Sequence, residues 1–68
     1  MRGLLFVGRE SRLRAQAHLF AQMGIKVVEM PGDEAVLYTY DERRGGSIML
    51  EGDEILEYVT LFRRGEKS

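Results

Sequence analysis

Cysteine is absent from the chain, and histidine occurs once, as His18. Without cysteine there is no disulfide and no thiolate metal site. One histidine does not make a histidine-based metal site. No apolar run approaches the roughly 20 residues that a membrane span requires. The run Leu4-Leu5-Phe6-Val7 near the start falls short of the about 7–15 residues of a secretory signal core, and charges follow at once. A cytoplasmic protein with no membrane partner and no cofactor is expected. Asparagine is also missing, and arginine outnumbers lysine eight to two. Loss of thermolabile residues is a thermophile tendency, although a GC-rich genome produces the same arginine bias.

The 68 residues amount to one small α/β domain spanning residues 1–68. A chain this short buries only about 60% of its unfolded surface. Tight packing or self-association is then the remaining source of extra stability. The formal net charge is −1, from ten basic and eleven acidic residues. That balance lacks the basic footprint of a nucleic-acid binder.

Four strands and at least one helix are legible. Leu4–Val7, bracketed by Gly3 and Gly8, reads as a buried first strand. Ser11 stands at a helix N-cap, and Leu13, Ala17, Phe20 and Ala21 follow at helical spacing up to Gly24, which stops the helix. Residues 25–30 form a second strand, and Pro31-Gly32-Asp33 a type II turn. Residues 35–41 form a third strand, and Ile48-Met49-Leu50 a fourth, separated by a flexible tip at Arg43-Arg44-Gly45-Gly46-Ser47. Residues 53–64 read either as a C-terminal helix or as a fifth strand. The helix is preferred. Ile55, Tyr58, Val59 and Phe62 share a face, and acids lead while arginines close the segment, as the helix dipole favours. Residues 66–68 are expected to fray. The fold class is α/β (α+β), in the order β-α-β-β-β with a last helix or strand, giving a small mixed sheet with a helix packed on one face.

Alternate side chains of a strand point to opposite faces. Leu4 and Phe6 oppose Leu5 and Val7; Val36, Tyr38 and Tyr40 oppose Ala35, Leu37 and Thr39; Ile48 and Leu50 oppose Met49. Both faces are therefore apolar. One or two helices cover only one of them, and a bare apolar face invites association. A non-enzymatic protein-protein interaction module is expected, most simply a homodimer packed sheet to sheet. Its candidate interface residues are Leu5, Val7, Leu37, Tyr38, Tyr40 and Met49.

Two other readings compete. A nucleic-acid binder would grip phosphates with Arg43 and Arg44, stack bases on Tyr38 and Tyr40, and draw on Arg9 and Arg12. Asp41 and Glu42 beside those arginines oppose it. An anion or nucleotide binder would use Arg9, Ser11 and Arg12 at the first strand-to-helix joint, where a helix start favours negative charge. That joint has one glycine and no phosphate-cradling glycine pattern. Glu51, Asp53, Glu54 and Glu57 suit a turn and a helix start better than a metal site. No nucleophile-base pair can be named, and no catalytic residue is assigned.

Overall fold

The computed structural model describes the backbone of residues 2–67 and the side chains through Arg64. It is an α+β fold with a mixed four-stranded sheet and two α-helices. The strands are β1 (Gly3–Gly8), β2 (Ile25–Met30), β3 (Ala35–Asp41) and β4 (Gly46–Glu51), and the helices are α1 (Ala17–Gln22) and α2 (Asp53–Lys67). Across the sheet the order is β2-β1-β3-β4. β1 and β2 run parallel, joined through α1, while β3 lies antiparallel to both β1 and β4.

The first helical segment departs from the sequence expectation. It opens as a 3-10 turn over Arg12–Gln16 and becomes α-helical only at Ala17. Ser11 caps it as expected, its Oγ accepting the Leu13 N–H at 3.1 Å. The Arg14 N–H bonds the Ser11 carbonyl three residues back, the tighter pattern common at helix starts. At the other end of the chain, residues 53–64 are helical, not a fifth strand, and α2 continues through Lys67. The fray expected at 66 and 67 is therefore helix backbone, and Ser68 lies outside the described residues.

The link from β2 to β3 passes over the end of β1. There Gly8 donates to the Glu34 carbonyl at 2.6 Å and Glu10 donates to the Gly32 carbonyl at 3.0 Å. A Cβ on Gly8 would run into the Gly32 backbone, which explains a glycine at this crossing. Gly32 itself has φ of 87°, as the second central residue of a type II turn needs.

One apolar core lies between the sheet and the helices. Leu5, Val7, Ile25, Leu37 and Leu50 come from the sheet, Leu13 and Phe20 from the first helical segment, and Ile55, Tyr58 and Val59 from α2. Both helices thus cover the same face. Leu5 and Leu37 are fully buried there and Val7 nearly so. This corrects the expected interface: Leu5, Val7 and Leu37 cannot share a surface with Tyr38, Tyr40 and Met49. Alternation puts the two sets on opposite sides of the sheet.

Candidate interaction surface

The uncovered face is built by strand register. Two rows cross all four strands: Lys26–Leu4–Tyr38–Met49 and Val28–Phe6–Val36–Glu51. Tyr40 and Ser47 extend the pattern at one end. The middle of this face is apolar yet open to solvent, with Leu4 41%, Tyr38 47%, Met49 54% and Tyr40 56% exposed. Phe6, Val28 and Val36 are half-buried among them. Phe6 and Tyr38 meet edge to face, their centroids 6.0 Å apart at 88°, a favoured aromatic geometry. Charge sits at the lateral margins, with Lys26 on edge strand β2 and Glu51 on edge strand β4, both exposed. An apolar centre with a polar rim is the anatomy of a protein interface.

Sequence reasoning selected Tyr38, Tyr40 and Met49 from this face but left out Leu4, Phe6, Val28 and Val36. The signal was present. Leu37 and Tyr38 are neighbours in one strand, so no single face holds both. The alternation within β1 then leaves Leu4 and Phe6 with one set or the other, and only the Leu4–Tyr38 register decides which.

The tip between β3 and β4 takes a defined turn. Residues Glu42–Arg44 form a 3-10 turn closed by Gly45 at φ 78°. The buried Asp41 carboxylate caps it, accepting the Arg43 N–H at 2.9 Å. Both arginines fold back onto α2, Arg43 over the Phe62 ring at 6.0 Å and Arg44 over Tyr58 at 5.9 Å. These are cation–π contacts. They turn the guanidinium groups toward the helix layer, where Arg43 lines a hollow together with Tyr40 and Arg2. Arg9 and Arg12 follow the far end of β1, a strand length of about 20 Å from the tip. The structure thus does not bring the six nucleic-acid candidates, Arg43, Arg44, Tyr38, Tyr40, Arg9 and Arg12, onto one surface.

The anion candidates meet opposite charge. Arg9 pairs with Glu29 at 3.2 Å, Arg14 with the same carboxylate at 3.0 Å, and Arg12 with Asp53. The Arg14 hydrogen bond and charge, with help from Arg9, hold the Glu29 carboxyl below its usual range. Ser11 is occupied as a cap. The nearby hollow, about 400 Å³, is lined by Glu10, Asp33 and Asp53 against the single Arg12. That sign is wrong for an anion. His18 is exposed on α1. Among the described residues no three His, Asp or Glu side chains cluster to hold a metal, and no helix is long and apolar enough to cross a membrane.

Under the tip, Tyr58 is buried and its hydroxyl has no hydrogen-bond partner among the described residues. The Asp41 carboxylate is close enough to act on its ionisation without meeting full hydrogen-bond geometry. Burial pushes the phenol above the usual 10, Asp41 adds to this, and Arg44 and Arg43 oppose it. Tyr58→Phe is therefore expected to be neutral or to stabilise by up to about 1 kcal/mol at pH 7, since it removes an unpaired buried hydroxyl. The raised folded value also sets a sign. The unfolded chain releases the phenol proton near pH 10 and the folded chain only above it, so stability is full below that pH and falls as pH rises through the folded value. Urea unfolding of both forms at pH 7 and above pH 10 checks this, with the alkaline loss smaller in the variant.

No family model, curated protein or solved structure matches this chain.

Proposed function

We propose that this chain is a non-enzymatic interaction module that self-associates through its open sheet face. The observation carrying the reading is that both helices cover one face while the other keeps Leu4, Tyr38, Tyr40 and Met49 in solvent. Four strands about 4.8 Å apart and roughly 20 Å long present a footprint of about 400 Å². Side-chain relief makes its accessible area larger, near the roughly 500 Å² per partner of the smallest specific interfaces. Relative to the total accessible surface of 4763 Å², that is close to the share a small protein commits to a partner. A second copy is the occupant best suited to it. It offers the same apolar centre, and the opposite charges of Lys26 and Glu51 suit a self-complementary contact.

Nucleic acid competes for the same face through Tyr38 and Tyr40. It is disfavoured because the face carries one basic and one acidic margin, and because Arg43 and Arg44 are engaged with α2. Dilution followed by amide NMR tests the proposal. Shift changes between millimolar and micromolar protein are expected to centre on Leu4, Phe6, Val36, Tyr38 and Met49. Changes centred on α2, or none, would contradict it.

A further inference from the structure

The two charged margins define how the copies meet, and this inference rests on the self-association proposed above. Sheets packed face to face are either aligned to within about 30° or near-orthogonal, and the orthogonal class turns its corners with strands that pass from one sheet into the other. Two separate chains share no such strand, so the aligned class applies. A two-fold axis lying between two such faces then runs either along the strands or across them. These choices have opposite electrostatic consequences.

Lys26 stands in the row with Leu4, Tyr38 and Met49, while Glu51 stands one row on, with Val28, Phe6 and Val36, at the other edge of the sheet. An axis along the strands, between β1 and β3, reverses each row onto itself. Lys26 then faces the partner's Met49, and the partner's Glu51 lies two residues further along the same strand, about 7 Å away laterally. That is within reach of two long side chains. Symmetry makes the same pair at the opposite edge. In the centre, Tyr38 covers the partner's Leu4, and Phe6 covers the partner's Val36. An axis across the strands exchanges the rows instead. It sets Lys26 beside the partner's Lys26 and Glu51 beside the partner's Glu51, two like-charge contacts that penalise that docking.

We infer that the dimer forms about a two-fold axis parallel to the strands, held in that orientation by reciprocal Lys26–Glu51 pairs at its two edges. The apolar rows supply most of the affinity and the charged edges select the orientation, a division common in specific interfaces.

Charge exchange tests this, with Kd read by sedimentation equilibrium and folding by circular dichroism. Both side chains are exposed, so Lys26→Glu and Glu51→Lys are expected to fold. Each single variant should weaken association by about tenfold, since each reverses two symmetric contacts. The K26E/E51K double variant should return to within about threefold of the parent at low salt. Lys26→Ala should weaken association modestly. Single variants with unchanged Kd, a double variant as weak as the two effects combined, or tighter association of Lys26→Ala would each overturn the orientation while leaving self-association standing. A parent chain that stays monomeric at every concentration would instead remove the reading on which the orientation rests.

Discussion

Leu37→Ala is expected to remove about 2–5 kcal/mol of folding stability. Leu37 is fully buried in the inner strand β3, directly between Leu5 and Leu50 in the register. Its removal opens a cavity in the core that Leu37 shares with Ile55 and Phe20, a core with few other residues to close over it. At about 0.05–0.15 kcal/mol per residue, a chain of this length holds roughly 3–10 kcal/mol in all. The loss is thus around half of the total. Urea unfolding at fixed protein concentration should show the midpoint falling sharply with little change in slope. Leu4→Ala is the control. Leu4 is next to Leu5 but on the open face at 41% exposed, so its removal should cost the protomer little. Equal losses from both variants would mean that the open face is covered within one chain.

Tyr38→Glu is expected to act the other way, abolishing association while leaving the fold. Tyr38 is central to the open face, with Leu4 and Met49 in its row and Phe6 against its ring edge. In the protomer its side chain is about half in water, so a carboxylate there stays solvated. The edge-to-face contact, about 1 kcal/mol, is lost together with the burial of the packed half of the ring and the strand preference of Tyr, a cost to the protomer smaller than that of emptying the core at Leu37. In the proposed dimer the same carboxylate would be buried against an apolar partner surface with nothing to pair it, a cost of several kcal/mol. Association weaker by at least about 100-fold is the expected result, read by light scattering, with an unchanged circular dichroism spectrum. A Tyr38→Glu protein that still pairs as the parent does would place the contact elsewhere.

Most of the elements were legible because each is a local matter. Strands β2 and β3 coincide with their apolar, β-branched and aromatic runs. Gly24, Gly32 and Gly45 take the positive φ that stops a helix or turns the chain. The last segment was open between helix and strand because Tyr58, Val59, Thr60 and Phe62 favour strands individually. Burial decides it: Ile55, Tyr58 and Val59 reach the core together only at helical spacing.

What stayed illegible depends on contacts distant in sequence. The Arg43-Arg44-Gly45-Gly46 tip reads as a flexible basic arm until Phe62 and Tyr58 are brought beneath it by α2. The Arg9, Ser11 and Arg12 joint reads as an anion site until Glu29 and Asp53 fold in to meet the arginines. The residue pattern makes both sheet faces apolar but does not show which one the helices take. That choice is made by the helix connections, and the register of β1 on β3 then gathers Leu4, Phe6, Val36 and Tyr38 into one patch.

The solution mass of the unaltered chain, measured by size-exclusion chromatography with light scattering from micromolar to millimolar protein, tests the account most directly. The prediction is a mass rising with concentration toward twice the chain mass of 7.8 kDa. A mass that stays at that of a single chain throughout would contradict it.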